Sequence, residues 1–355
     1  MEPADYTGRL LGGRYVIGAL LGVGGFGGVY AGQHSVTERD VAIKLLWPDF
    51  AQAPDFRKRF VRECRLAARV GSEYVVDVLD AGFDEHLGQP FLVMERLRGE
   101  NLGERLIRKG RFSAEQTSFY LGCAAAALER THQKHVVHGD LKPGNLFLTT
   151  RPGGTPIVKV LDFGVAKLVG PTGLANSSHS MGTPLFMAPE QLRGGASSAA
   201  ADIYALGQVA YSMLVGGEYF RAEQQACGSV VELVERLQGG VREKAGTRAA
   251  LRGVELPQAF DDWFAGMTAL DPGLRPSDSR CAILELAELL GVDPPRPLAP
   301  LRTEAALAVS WDEEERSQPR GEPVQPISEE TARVTVELPD DGTALNPANA
   351  RRTRQ

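Results

Sequence analysis

Near residue 50 the chain changes its hydrophobic rhythm, and few architectures accommodate both halves. From Arg14 to about Trp47, apolar and β-branched residues alternate with polar ones in RYVIGALL, VYAGQH and DVAIKLLW, with glycines as punctuation. That pattern builds antiparallel strands. In PDFRKRFVRECRLAARVG the period lengthens: Phe56, Phe60 and Ala67 recur at helical spacing, which predicts one amphipathic helix ending at Gly71. Two more strands are predicted in YVVDVLDAGF and PFLVMERL. After Gly99 the pattern is mainly helical. Ser113, with Gln116 three residues later, makes a capping box ahead of an Ala-rich helix reaching about His135. Further helices are predicted over 199–215, 230–237, 257–269 and 277–290. A strand-rich first part followed by a helix-rich second part, with no internal repeat, reads as an α+β fold.

At 355 residues and 43% hydrophobic content, the chain can fill two lobes or two domains. Beyond Gly291 the composition shifts to Pro, Glu, Asp and Arg, with Pro294, Pro295, Pro297 and Pro300 marking the change. A disordered tail over 292–355 is therefore predicted. Its DEEER (312–316) and VTVEL (334–338) words offer a docking or self-modification segment as the sharper alternative. A net charge of -6 excludes a broad cationic surface, so no nucleic-acid partner is expected, and RRTR at 351–354 reads as a solvated chain end. The four cysteines, Cys64, Cys123, Cys227 and Cys281, form no CxxC pair, which fits thiols of a reducing compartment and predicts a cytoplasmic protein. The opening MEPADYTGRLLGG lacks the basic start and apolar run of a signal peptide, and no segment is apolar for long enough to cross a bilayer. No membrane anchor is expected.

LGVGGFGGVY, Leu21 to Tyr30, carries GxGxxG in Gly22, Gly24 and Gly27. A dinucleotide-binding loop needs a helix directly after its glycines and an acidic residue about 20 positions on. Here VYAGQH follows as a strand, and that later position holds Lys44. The loop therefore reads as a hairpin turn whose small residues let backbone N–H groups approach phosphates. Lys44, in VAIK, shares a strand face with Ala42 and Leu46, so its ammonium leaves an apolar wall and needs a partner. Glu63 falls on the inward stripe of the next helix, three residues after Phe60 and four before Ala67. A Lys44–Glu63 ion pair would satisfy both groups and aim the ammonium at a phosphate.

HGDLKPGN (138–145) and VKVLDFG (158–164) carry the chemistry. Moving a phosphoryl group onto a hydroxyl needs a carboxylate near the nucleophile, oxygen ligands for magnesium, and cations that offset the moving charge. Asp140 can accept or orient the hydroxyl proton, Asn145 and Asp162 can hold magnesium, and Lys142 can reach the γ-phosphate. His138, single and beside an apolar strand, reads as a packed core residue.

These words together resemble a protein kinase of the bacterial serine/threonine type, over about four fifths of the chain. The family's glycine-rich loop matches Gly22, Gly24, Gly27 and Val29; its strand lysine matches Lys44 and its helix glutamate Glu63. The catalytic loop matches Asp140, Lys142 and Asn145, the metal-binding word Asp162, Phe163 and Gly164, and MAPE supplies Ala188, Pro189 and Glu190. The resemblance implies a bilobal kinase fold: an extension over 1–13 and a catalytic domain over 14–291, with lobes 14–98 and 99–291, ahead of the tail. It implies ATP and Mg²⁺ as cofactors, and Ser/Thr hydroxyls of proteins, this chain included, as acceptors. By analogy, Glu95 to Leu97 would offer backbone hydrogen bonds to adenine, Met94 would guard the back of the pocket, and Leu21, Val29, Ala42 and Phe147 would sandwich the ring. Glu190 would pair with Arg275, and Asp202 would brace the catalytic loop. Lys142, two residues after Asp140, and Thr183, which in such enzymes bonds the catalytic aspartate and lysine, imply Ser/Thr rather than Tyr specificity. One departure stands out: Gly139 replaces the arginine that usually grips a phosphorylated activation loop, which predicts weak dependence on Ser177, Ser178 and Ser180. A nucleotide-binding pseudokinase or scaffold is the alternative, and a small-molecule phosphotransferase ranks last because it would not account for MAPE and Thr183.

Overall fold

The strand-rich part forms an antiparallel sheet of six strands: β1 (Leu10–Leu11), β2 (Tyr15–Gly24), β3 (Gly27–His34), β4 (Asp40–Leu46), β5 (Val78–Asp84) and β6 (Gln89–Glu95), in the order β1-β2-β3-β4-β6-β5. β1 corrects the boundary at residue 14, since it pairs with β2 and buries Leu11 in the core. The computed structural model describes residues 5–25, 27–48, 56–163 and 184–298, all of which fall in the first of two units, Met1–Leu301 and Arg302–Gln355. Along β4 successive side chains face opposite ways. Val41, Ile43 and Leu45 join a core with Ile17, Tyr30 and Phe91 on one face. Leu46 on the other face is covered by Phe56 and Phe60 of helix α1 (Phe56–Ala68). β4 is thus buried on both faces, which places its one cation, Lys44, inside the fold.

The predicted strand YVVDVLDAGF is only partly a sheet strand. β5 begins at Val78, while the residues before it leave the sheet to make a parallel bridge from Val75 to Val160, with Val76 N–H donating to Val160 C=O at 3.1 Å. The second part adds β7 (Glu100–Asn101), β8 (Leu146–Thr150) and β9 (Pro156–Val160) as a small antiparallel sheet. Its helices are α2 (Leu102–Lys109), α3 (Ala114–His132), α4 (Pro189–Leu192), α5 (Ala199–Val215), α6 (Arg221–Ala226), α7 (Val230–Leu237), α8 (Ala245–Ala250), α9 (Ala259–Met267) and α10 (Ser279–Leu289). The capping box forms: Ser113 Oγ accepts from Gln116 N–H at 3.2 Å, and Gln116 Oε1 accepts from Ser113 N–H at 3.3 Å. α5 is mostly apolar on every side because nearly all of it is buried, Asp202 included. Gly216 ends it at φ 82°, where a Cβ would lie 2.1 Å from the Gly110 carbonyl, so only glycine fits that stop.

Disorder from residue 292 is corrected for 292–298. Val292 N–H donates to Ala287 C=O at 3.0 Å, a 3₁₀ turn forms over Arg296–Leu298, and Leu298 is fully buried. Two of the prolines that signal a compositional break pack on α3: a Cβ at Gly122 would lie 2.7 Å from Pro295 Cβ and 3.8 Å from Pro297 Cδ. DEEER and VTVEL lie outside the described residues.

Candidate active site

The glycine loop is the turn between β2 and β3, with Gly22 opposite Val29 and Gly24 opposite Gly27. Gly27 has a steric reason, since a Cβ there would sit 1.9 Å from the Leu45 carbonyl; at Gly22 an added Cβ meets nothing within 4 Å. Beneath the hairpin, Ala42 and Met94 form an apolar cluster with Val76 and Leu92, against which Val29 and Leu97 pack. Four of the expected adenine contacts are thereby brought together. Leu21 is exposed on β2, and Phe147 is half-buried on β8. At Glu95 the backbone N–H is already donated to Asp77 C=O at 3.0 Å, so that N–H is engaged within the fold. Its carboxylate takes Lys159 Nζ at 2.5 Å and Asp77 N–H at 2.9 Å.

Lys44 is 3% exposed. Its Nζ lies 2.7 Å from Asp162 Oδ1. Glu63 is also buried, and its Oε1 sits 3.1 Å from Arg62 Nη2. These two ion pairs stand where the sequence suggested Lys44–Glu63. The physical reason is proximity to competing partners: the neighbouring Arg62 reaches back to Glu63, while Asp162 presents a half-buried carboxylate to the lysine. Lys44, Glu63 and Asp162 still border one cavity of about 20 Å³, walled otherwise by apolar groups including Cys64, Met94 and Phe163. Burial acts to raise the pKa of Asp162, but the charge and hydrogen bond of Lys44, helped by Lys142, hold it below 3.8. Asp162 also adopts φ 62°, a left-handed conformation that a non-glycine residue holds only where its surroundings enforce it.

The catalytic loop is held from below by α5. Asp202 accepts from the backbone N–H of His138 at 2.9 Å and of Gly139 at 2.7 Å, and its Oδ2 also lies 2.8 Å from His132 Nε2. His138 is buried; its Nδ1 accepts from Asp140 N–H at 3.1 Å and its Nε2 donates to Leu161 C=O at 2.8 Å. Those partners assign the Nε2–H tautomer and occupy both nitrogens, which suits a brace between the two loops rather than a base. Asp140 meets Lys142 Nζ at 2.7 Å through Oδ2, and Asn145 Nδ2 donates to the Asp140 carbonyl at 2.7 Å. Leu161 N–H donates to Asn145 C=O at 2.9 Å, so the HGDLKPGN and LDFG loops are stitched side by side. Farther out, Arg275 clasps Glu190 through two bonds of 2.7 and 2.8 Å, as the resemblance implied. Thr183, Gly164 and the three activation-loop serines lie outside the described residues.

Sequence reasoning did not find His132, Lys159 or Gln191, whose Nε2 donates to the Gly139 carbonyl at 2.9 Å. Each acts across the fold, and none sits in a word with local spacing.

A family model described as protein kinase domain matches residues 15–285. The serine/threonine-protein kinase PknA of Corynebacterium glutamicum is 32% identical over 317 residues, covering 87% of this chain and 63% of the relative. PrkC of Bacillus subtilis, also a serine/threonine-protein kinase, is 30% identical over 266 residues, covering 75% of this chain and 39% of PrkC. The chain thus spans less than two thirds of these curated relatives. Among solved structures, the kinase domain of Mycobacterium tuberculosis PknI matches with a TM-score of 0.63 at 24% identity, covering 81% of this chain and 100% of that one, a likeness of fold. With the strand-rich and helix-rich parts joined at this site and the model spanning most of the sequence, the chain belongs to the protein kinase family.

Proposed function

We propose that this chain is a protein serine/threonine kinase that transfers the γ-phosphate of ATP to Ser/Thr hydroxyls of proteins, with Mg²⁺ as cofactor. One observation carries the reading: Asp140, Lys142 and Asn145 are locked together on one loop, and that loop is stitched to the Lys44–Asp162 pair on the next.

The donor set fits magnesium. Mg²⁺ is held by one or two protein oxygens together with substrate phosphates, rather than by an all-protein cage. Among the described residues no three His, Cys, Asp or Glu side chains gather into such a cage. Asp162 is held ionised, and Asn145 commits its Nδ2 to Asp140, which leaves Oδ1 as its donor for a cation. Bound there, magnesium would neutralise charge on the β- and γ-phosphate oxygens.

The residues then divide the work. Backbone N–H groups of the Gly22–Gly27 turn and the Lys44 ammonium hold the triphosphate. Asp140 orients the acceptor hydroxyl and takes its proton as the new O–P bond forms and the bond from the γ-phosphorus to the β–γ bridging oxygen breaks, releasing ADP. Lys142 offsets charge on the moving group. Glu63, beside Lys44, fixes the wall from which the lysine emerges, and Thr183 is assigned to the bond between Asp140 and Lys142. Leu21, Val29, Ala42, Met94, Leu97 and Phe147 supply the adenine slot with the carbonyl of Glu95. Positioning and electrostatics supply most of such a rate. The catalytic unit runs through Leu298.

The test is incubation of the purified chain with γ-labelled ATP, Mg²⁺ and a cell lysate, beside the Asp162→Asn variant. Label on serine and threonine with wild type alone supports the reading; absence of label with a folded wild type refutes it.

A further inference from the structure

Gly139, directly before Asp140, has φ 78°. Glycine enters that left-handed conformation freely and leaves it as freely, so by itself it makes a loose hinge under the carboxylate. The fold ties the hinge at both its N–H and its C=O, and the Asp140 N–H of the next peptide is held by His138 Nδ1 at 3.1 Å. The Gly139 N–H donates to Asp202 Oδ1 on α5 at 2.7 Å. Its C=O accepts from Gln191 Nε2 on α4 at 2.9 Å.

Gln191 is engaged at both ends of its amide. Oε1 accepts from Ala188 N–H at 3.0 Å, and Nε2 also lies 3.0 Å from Ser197 Oγ. The element that carries it is itself anchored, because the adjacent Glu190 is held bidentately by the buried Arg275. With both amide ends used, the side chain has one orientation, and the Gly139 carbonyl has one direction in which to point.

We propose that Gln191 is a positioning residue of the phosphotransfer site: its amide fixes the Gly139–Asp140 peptide plane to the Ala188–Leu192 segment, and with it the Asp140 carboxylate. The proposal rests on the kinase reading above. Position 139 has no side chain through which to anchor the loop, so the anchor reaches in from another element. The clamp acts on the carboxylate and not on the nucleotide, whose contacts come from the glycine turn, Lys44 and Asp162. Its loss therefore belongs in kcat. A displacement on the order of 1 Å at a reacting group costs about 10²-fold.

The experiment compares wild type with Gln191→Glu and Gln191→Leu. Glutamate is isosteric and keeps an acceptor for Ala188 N–H, but faces the Gly139 carbonyl with an oxygen instead of a donor. Turnover on a serine peptide that wild type phosphorylates, KM for ATP, melting temperature, and amide hydrogen exchange at Gly139 and Asp140 are measured. The expected result is a kcat lower by about 10²-fold in both variants, with KM for ATP and melting temperature near wild type and faster exchange at Asp140. If leucine prevents folding, the glutamate variant decides alone. Unchanged kcat, or a kcat loss matched by loss of ATP affinity and melting temperature, overturns the clamp. An inactive wild type would instead sink the kinase reading, and hydrogen exchange would still decide whether Gln191 holds the loop.

Discussion

Asp140 and Asp162 lie on adjoining loops, yet their surroundings give them different work. Asp162 faces a buried lysine and is kept ionised, which suits a cation ligand; Asp140 is braced by Lys142 and Asn145, in the position proposed above for orienting the acceptor hydroxyl. Asp140→Asn is therefore expected to lower kcat by about 10² to 10⁴-fold, with nucleotide affinity retained by calorimetry. Lys44→Met acts on the other carboxylate. In wild type the folded-state pKa of Asp162 is below its ordinary 3.8, so ionisation stabilises the fold above that pH, and the contribution is lost as pH falls through the lowered value. Without Lys44 the burial contribution is opposed only by the weaker pull of His138 and Lys142, so the pKa should rise. Carboxyl-detected NMR titration should then find Asp162 higher in the variant than in wild type, and an unchanged value would show that Lys44 is not the controlling charge. Gly139 carries a third expectation. With no guanidinium at that position to grip a phosphate, alanine at Ser177, Ser178 and Ser180 together should leave most of the peptide-kinase turnover, and a complete loss with the fold intact would refute it.

Among the elements, the helices of the second part hold the site by pairs that the sequence does not juxtapose. Arg275 has a fully buried side chain, bonds Glu190 twice, donates to the carbonyls of Ala200 and Ala269, and lies over the Tyr204 ring at 5.0 Å. Removing one partner of a buried pair leaves an uncompensated charge, so Arg275→Met should cost about 3–5 kcal/mol in urea unfolding. The segment after α10 is the second case. Leu298→Ala should cost about 2–5 kcal/mol, as for other buried leucines, whereas a solvated tail would show no change. Lys44, Asp140, Lys142, Asn145 and Asp162 are legible in the sequence because each sits in a short word whose spacing reports local geometry. The two hydrophobic periods likewise display the sheet, α1, α3 and α5. Gln191 reaches Gly139 across 52 positions, and His132 reaches Asp202 across 70; such contacts depend on how helices pack, which no local pattern encodes. Proline composition misled at 292–298 for a related reason, since proline disfavours regular elements but packs well against a glycine on a neighbouring helix.

Among the described residues, the strand-rich and helix-rich parts meet at several polar points, some beside the proposed nucleotide site and others, such as Arg151–Glu73 and Arg130 on the Val70 carbonyl, away from it. Lys44 reaches Asp162, Lys159 reaches Glu95, and Val75 bridges to Val160. A ligand that binds between the two parts adds contacts to both, so it should stabilise the unit as a whole. Linkage sets the size: ligand at a hundredfold excess over its Kd contributes about 2.7 kcal/mol, which appears as a rise of several degrees in melting temperature. The charge pattern adds a condition. Lys44 already offsets Asp162, so a triphosphate brings negative charge toward a carboxylate and needs a divalent cation to join them. The stabilisation should therefore require nucleotide and Mg²⁺ together, with either alone giving little, and Asp162→Asn should abolish the magnesium-dependent part, read as the rise above the variant's own unliganded melting temperature. Calorimetric scans of the four combinations, in both proteins, distinguish this from a general salt effect, because a salt effect would stabilise the variant equally.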